Sequence, residues 1–361
     1  MVADVIVIGA GPAGATVGGH IARAGYEVLI LEKNRSPGKN KVCGGALSKT
    51  CFTDLKLPNK IIEKECSRFR VHFPEEKLEV LSKPGFVLFN REIFDELLAQ
   101  KAAENGARLL TSTLVSDVIK HGDKLAVHYV KLPRREMQEV QARIVVFADG
   151  TRTLAYKKFK IGFEGKPNEI ALTAMYDLRW PNNPLDSLDF FFREEISPFG
   201  YGWIFPKKDS ISVGVLCLQS KMKQSIRQYL DYFVSQEKLS SLEVIRFGSR
   251  LMPQSIVEKI YADSVLVVGD AAGTADPVDG GGIFNAIVSG EVAAKVAVEA
   301  LKAGNVTANF LASYDDLWKK TENYRLFHRS YVLQRLALET GVNIGIFLKQ
   351  MGFFDQYDSS N

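Results

Sequence analysis

A glycine turn set between an apolar strand and a small-residue helix restricts this chain more than any other stretch. Val5-Ile6-Val7-Ile8 leads into Gly9-Ala10-Gly11-Pro12-Ala13-Gly14. A helix of small residues is expected over residues 12–24, closed by Gly25, and a second apolar run, Val28-Leu29-Ile30-Leu31, ends at Glu32. Strand, glycine turn, helix, strand and acid come in the order of a βαβ unit that holds a dinucleotide. Gly9 permits the tight turn, Gly11 lets the main chain approach a pyrophosphate, and Gly14 lets the helix pack close to the strands. The helix N-terminus, with about half a positive charge and free N–H groups, suits the phosphates. Glu32, eighteen residues past Gly14, is placed to accept hydrogen bonds from a ribose hydroxyl. The competing reading is a glycine-rich turn of some other α/β protein; the strand, helix and acid in their places favour the nucleotide.

A second constellation decides which dinucleotide. Val265-Leu266-Val267-Val268 runs into Gly269-Asp270, and Gly280-Gly281-Gly282 opens a helix expected over residues 283–303. A carboxylate at that strand tip can accept a hydrogen bond from a ribityl hydroxyl, and the helix N-terminus at Ile283 can face the pyrimidine edge of a flavin, where reduction places negative charge. A nicotinamide dinucleotide has no ribityl chain and needs no such site, so FAD is the expected resident cofactor. Arg91, opening a helix, can reach the pyrophosphate or ribityl with its fork of donors. The plainer readings are Asp270 as a helix cap and Arg91 as an exposed first-turn residue. No second GxGxxG occurs, so the reductant, whether NADPH, NADH or ferredoxin, has to dock transiently.

The fold class expected is α/β: a Rossmann-like FAD-binding domain with an inserted antiparallel β-sheet substrate domain and a short C-terminal helical region. The FAD-binding part is assigned residues 1–64, 84–160 and 255–303; the sheet, residues 65–83 and 161–254; the helical region, residues 304–361. Residues 33–59, with Pro37, Gly38, Gly44, Gly45 and Pro58, read as a long irregular loop, which in a compact domain is more often functional than idle. A helix is expected over 91–105, from Ile93, Phe94, Leu97 and Leu98 at helical spacing, and a polar helix over 221–236. Residues 355–361 read as a frayed end.

Bulk properties exclude some classes. In 361 residues, 46 basic and 42 acidic side chains leave a net charge of +4, a mild excess that argues neither for nucleic acid nor against it; with no long block of one sign, no nucleic-acid partner is expected. Cys43, Cys51, Cys66 and Cys217 form no CxxC, no secretory leader pattern precedes the first strand, and a reducing, cytoplasmic location is expected. No apolar run reaches the roughly 18 residues that span a bilayer. Membrane contact is therefore expected only as peripheral association at the cytoplasmic face. None of the His residues has the spacing of a metal pair.

Taken together, the glycine turn with Glu32, the Ala148-Asp149-Gly150 corner and Gly269-Asp270 resemble flavoproteins of the para-hydroxybenzoate hydroxylase type. Two further stretches narrow the resemblance. Lys41-Val42-Cys43-Gly44-Gly45-Ala46-Leu47 resembles the cysteine-glycine-glycine loop of the geranylgeranyl reductase family, and Pro198-Phe199-Gly200-Tyr201-Gly202-Trp203-Ile204-Phe205-Pro206 matches that family's P-x-x-Y-x-W-x-F pattern. The resemblance implies FAD, and reduction of isolated double bonds in an isoprenoid chain of a membrane lipid, a chlorophyll precursor or a quinone tail. It implies a cofactor-binding set of Gly9, Gly11, Ala13, Gly14, Glu32, Lys33, Cys43, Gly44, Gly45, Ala46, Arg91, Val115, Asp149, Asp270, Gly281, Gly282 and Ile283. The chain departs from the pattern in having Thr153 where the aspartate-glycine corner usually reaches a serine, and in a short region after Ala303.

Saturating an isolated alkene takes a hydride, implied to come from reduced flavin N5, and a proton. On an extended segment Tyr201, Trp203 and Phe205 point the same way, with Gly200 and Gly202 opposite. With Pro198 they form the expected substrate wall: apolar for the tail, and able to stabilise a developing cation. The plain reading is an ordinary core strand. Cys43 and Tyr201 are the rival proton donors; Cys43 as a small buried hydrophobe and Tyr201 as a backbone partner are the alternatives. Two other functions compete. One is a flavin monooxygenase or halogenase, since Tyr201 to Pro206 lies near a W-x-W-x-I-P pattern but lacks its first tryptophan and isoleucine. The other is a flavoprotein of electron relay or assembly.

Overall fold

The structure, a computed structural model, describes residues 2–352, so the end expected to fray at 355–361 lies outside the described residues. In chain order the first elements are β1 (Val2–Ile8), α1 (Pro12–Arg23), β2 (Val28–Leu31), β3 (Ala46–Ser48), α2 (Lys49–Asp54), β4 (Ile62–His72), β5 (Lys77–Phe89) and α3 (Arg91–Glu104). Then come β6 (Arg108–Leu110), β7 (Thr113–His121), β8 (Lys124–Lys131), β9 (Glu136–Phe147), α4 (Leu154–Phe159), β10 (Ile170–Arg179), β11 (Leu188–Phe191), β12 (Tyr201–Pro206), β13 (Ser210–Leu218) and α5 (Ile226–Gln236). The chain continues with β14 (Val244–Pro253), β15 (Tyr261–Ala262), β16 (Val265–Val267), α6 (Ile283–Ala303), α7 (Ala308–Leu311), α8 (Ser313–Lys319), α9 (Glu322–Thr340) and α10 (Ile344–Gln350).

The chain divides into two compact units: residues 2–39, 92–165 and 253–330, and residues 40–91, 166–252 and 331–352. The first is built on the parallel run β16-β9-β1-β2-β6, with β15 antiparallel at one edge and β7 and β8 joined to β9. Its central strands are apolar throughout because both faces are covered; Val5, Ile6, Val7, Ile30, Val145 and Val146 are fully buried.

In the second unit the sheet order is β14-β10-β13-β12-β11-β4-β5-β3. One face is apolar, with Tyr176, Leu178, Ile204, Val213 and Val215 packed on Tyr229, Leu230 and Phe233 of α5. Gly202 turns to this side, where a β-carbon would meet the Phe233 ring at 3.0 Å. Alternation then sends Tyr201, Trp203 and Phe205 to the other face.

The α/β class and the parallel sheet are those expected from the sequence, and the second sheet is antiparallel as expected except where β11 runs parallel to β4. Several boundaries differ. The stretch 33–59 is not all loop: β3 pairs with β5 (Leu47 beside Val87), and Ser48 caps α2 by accepting from the Cys51 N–H at 3.2 Å. Those pairings draw residues 40–64 and 84–91 into the second unit, residues 161–165 and 253–254 group with the parallel-sheet unit, and the expected helical region divides, 304–330 grouping with the parallel-sheet unit and 331–352 with the second. The polar helix begins at Ile226, not near 221, because a reciprocal capping box between Ser225 and Gln228 starts it there.

Candidate active site

In-register pairing brings the cofactor candidates of the first unit to one line. Ile8 lies beside Leu31 and Phe147, and Phe147 beside Val267, so these strands end together. Just past their ends stand Gly9, Glu32, Ala148-Asp149 and, after Val268, Gly269-Asp270. Beyond the carboxyl ends of parallel strands, helix N-termini and loops converge, which is where open α/β sheets bind ligands. Gly9 has φ +100°, and a β-carbon there would lie 2.4 Å from the Ala148 oxygen. On Gly14 it would lie 1.9 Å from the Gly9 oxygen, so α1 can approach only as glycine allows. Ala13 packs beside Gly269, whose β-carbon would come within 2.9 Å of its own.

Glu32 is buried and held by two main-chain donors, Ala10 N–H at 3.0 Å and Asn34 N–H at 2.8 Å. Each carboxylate oxygen keeps a lone pair for a ribose hydroxyl. Thr113 donates its N–H to the Glu32 carbonyl at 2.8 Å, which brings the start of β7, with buried Val115, alongside. Lys33 is exposed and its charge reaches Asp149.

Polar atoms in this unit await partners. Asp149 Oδ2 accepts from the Leu154 N–H at 2.7 Å, whereas Asp149 Oδ1 and Thr274 Oγ1 are buried without a protein hydrogen bond. Burial pushes the Asp149 carboxyl up to about 6, against the hydrogen bonds from Leu154 and Thr153 and the charge of Lys33. The Thr153 hydroxyl caps α4 through Ala155 N–H at 3.1 Å, doing here what a serine would. Orphaned buried polar atoms together with a helix N-terminus behind a glycine turn are what a hydroxyl-rich, phosphate-bearing cofactor satisfies, so these residues fit FAD.

Asp270 stands close to the glycine loop: a β-carbon on Gly282 would be 3.6 Å from its Oδ1. Gly281, Gly282 and the buried Ile283 start α6. Sequence reading missed the two acids that shape this loop. Asp276 Oδ1 accepts from Val278 N–H at 2.8 Å and Asp279 N–H at 3.2 Å, and Asp279 Oδ1 accepts from Gly281 N–H at 2.6 Å. Burial, reinforced by the charge of Asp279, pushes the Asp276 carboxyl up to about 8. The signal was present: aspartates ahead of a glycine run make side-chain turns of this kind.

The second unit brings together the cysteine loop and the aromatic strand. A β-carbon on Gly44 would lie 2.4 Å from Phe205 Cδ2 and 3.4 Å from Trp203 Nε1, so the bare Gly44 main chain rests on those two rings. Cys43 is half-exposed; its N–H points at Met175 Sδ (3.2 Å), and Gly45 N–H points at Cys43 Sγ (3.4 Å). Gly45 accepts at its carbonyl from Phe89 N–H at 2.9 Å, and Ala46 pairs with Leu88. Tyr201, Trp203 and Phe205 are almost wholly buried, with Trp203 Nε1 donating to Ser212 Oγ at 3.1 Å. Phe190, which sequence reading did not single out, joins them: its ring is 5.5 Å from Tyr201, 5.2 Å from Phe205 and 6.4 Å from Phe69. Pro198 is buried and accepts from Leu218 N–H at 3.1 Å. Arg91 is the half-buried first residue of α3.

Known proteins resemble the chain in both sequence and fold. Residues 2–317 match the family model described as FAD binding domain. A digeranylgeranylglycerophospholipid reductase of Methanothermobacter thermautotrophicus is 32% identical over 327 residues, covering 88% of this chain and 83% of the relative. The chain belongs to the geranylgeranyl reductase family of FAD-binding proteins. Within this family, the crystal structure of a geranylgeranyl bacteriochlorophyll reductase-like protein from Thermoplasma acidophilum superposes with a TM-score of 0.86 at 29% identity, covering 92% of this chain and 87% of that one. A flavin-dependent brominase, at 20% identity and TM-score 0.74, covers 99% of this chain and all of its own, and shares the fold. As a geranylgeranyl reductase family member the protein is an FAD-dependent oxidoreductase, and FAD is its cofactor.

Proposed function

We propose that this protein reduces isolated carbon–carbon double bonds in the geranylgeranyl-type chain of a membrane lipid. The observation that carries this reading is the seating of Gly44 on Phe205 and Trp203: the cysteine loop and the aromatic strand, distant in sequence, form one surface. The named activities of the relatives point the same way.

FAD, held by Glu32, the α1 N-terminus, Asp149, Asp270 and the loop before α6, supplies hydride chemistry when bound. The chain supplies the rest. Tyr201, Trp203, Phe205 and Phe190 offer a dry, apolar surface to a branched hydrocarbon, which has no polar group to orient it and so must be held by shape. Ring faces stabilise positive charge developing at a tertiary carbon by about 0.5–2 kcal/mol. The Cys43 thiol is the proposed proton donor, with Tyr201 as the alternative. Gly45 N–H, directed at the sulfur, holds the Cys43 side chain in place. Among the described residues no helix is long and apolar enough to cross a membrane. Access to a lipid is then proposed through peripheral contact, with NADPH, NADH or ferredoxin docking transiently to restore the reduced state.

The test is direct. The FAD-loaded protein, reduced anaerobically, is incubated with a geranylgeranyl ether phospholipid, and the lipid is examined by mass spectrometry. Gain of one H2 per double bond supports the reading. Oxygen-dependent hydroxylation or halogenation of an added acceptor, with no change to the lipid, refutes it and favours the oxygenase branch of the fold.

A further inference from the structure

The loop that carries Cys43 is held by a charged side chain from far along the sequence. Arg246, on β14, donates from Nη1 to the Lys41 carbonyl at 2.9 Å and from Nε to Asp177 Oδ2 on β10, also at 2.9 Å. The other oxygen of Asp177 lies 3.4 Å from Lys207 Nζ, and both side chains of that pair are largely shielded from water, at 13% and 8% exposure. One residue on from Lys41, Val42 packs over Gly248, two residues beyond Arg246 on β14; a β-carbon on Gly248 would lie 2.8 Å from Val42 Cγ2. One residue further, the Cys43 N–H reaches Met175, two residues from Asp177 on β10. Lys41, Val42 and Cys43 are thus fixed at three points on two strands.

We propose that Arg246, oriented by Asp177, is a positioning residue of the reaction: it holds the loop on the sheet so that the Cys43 thiol stays at the aromatic surface. A guanidinium is suited to this, since its planar fork serves a carboxylate and a carbonyl at once, which an ammonium does less well. The arrangement is economical in charge. Asp177 keeps Lys207 when Arg246 is removed, so loss of Arg246 leaves no shielded carboxylate alone. Its removal therefore falls on the loop, through the Lys41 carbonyl, more than on the sheet. The inference rests on the role given to Cys43 under Proposed function.

The test uses the full-length, FAD-loaded protein and reads the rate at which iodoacetamide alkylates Cys43, located by peptide mass spectrometry. Cys51, the other half-exposed thiol, sits on α2 outside this network and serves as the internal reference. Arg246→Met is expected to speed Cys43 alkylation by about tenfold or more, the scale of one lost charge-assisted hydrogen bond, with Cys51 unchanged. It is also expected to lower kcat by about tenfold or more with little change in KM, because a misplaced reacting group costs rate rather than affinity. Arg246→Lys should fall between, and Asp177→Asn should move the ratio in the same direction. An unchanged Cys43:Cys51 ratio in Arg246→Met overturns the proposal; should that variant not fold, the same ratio in Arg246→Lys and Asp177→Asn decides. Full activity in Cys43→Ala would instead remove the role of Cys43 and leave the ratio as the measure of Arg246.

Discussion

The indole of Trp203 lies directly over Gly214: a β-carbon built on Gly214 would stand 2.1 Å from Cζ2 and 2.4 Å from Cη2. The two residues are paired across β12 and β13, and the next pair on the same face, Phe205 with Ser212, supplies the hydroxyl that takes the indole N–H. The centre of the aromatic surface thus depends on an absent side chain on the neighbouring strand.

Replacing Gly214 by Ala should therefore lift the indole and disturb Phe205 beside it, whose ring centroid is 6.4 Å away. Overpacking of this kind costs about 1–3 kcal/mol. Expected are a melting temperature lower by several degrees, unchanged FAD content and slower lipid reduction. Calorimetry, flavin absorbance and product mass check the three together; wild-type turnover with wild-type stability would contradict the packing described.

Phe190 bridges Phe69 to Tyr201 and Phe205, and is expected to contribute to holding the hydrocarbon. Phe190→Leu should raise KM for the lipid by about threefold to tenfold, in keeping with the loss of roughly 1 kcal/mol of aromatic contact. FAD binding should not change, because Phe190 lies in the sheet unit away from the glycine turn in sequence. Steady-state kinetics on vesicle-borne substrate decides it.

Glu32 takes the N–H groups of Ala10 and Asn34 and is expected to take the ribose of FAD. Glu32→Gln keeps the shape, removes the charge and turns one acceptor into a donor. Hydrogen bonds to a charged group contribute about 1.5–3 kcal/mol, so FAD should bind about tenfold or more weakly. Titration of flavin into deflavinated protein reads this, and unaltered affinity would remove Glu32 from the ribose site.

Asp149 gives a pH dependence. Its folded-state carboxyl titrates at about 6, above the ordinary range near 3.8, because burial disfavours its charge. A raised acid pKa means the folded state holds the proton more firmly than the unfolded chain. The deflavinated protein should then lose of order 3 kcal/mol of stability as pH rises from below 4 through about 6, and the loss should stay at higher pH. In Asp149→Asn this particular fall should vanish, seen as a flatter plot of urea midpoint against pH. An identical plot for both proteins would refute the assignment.

By itself the sequence determined what depends on neighbours a few residues apart. The apolar run 5–8, the glycine turn and Glu32 specify strand, turn, helix and strand by local sterics, and those steps alone make a nucleotide site. Alternation along β12 sends Tyr201, Trp203 and Phe205 to one face whatever lies opposite. The fold class and the cofactor were legible for that reason, as was Gly280–Gly282 opening α6. Tertiary structure alone decided which strand lies beside which. The pairing of Leu47 with Val87 turns part of an apparent loop into sheet, and Phe190 enters the aromatic surface only because β11 pairs with β12. Gly214 matters only because Trp203 is its partner in register, and Arg246 reaches Lys41 across 205 residues of chain. Periodicity says which face a side chain takes; register across strands says what it meets there, and register is set by the whole sheet.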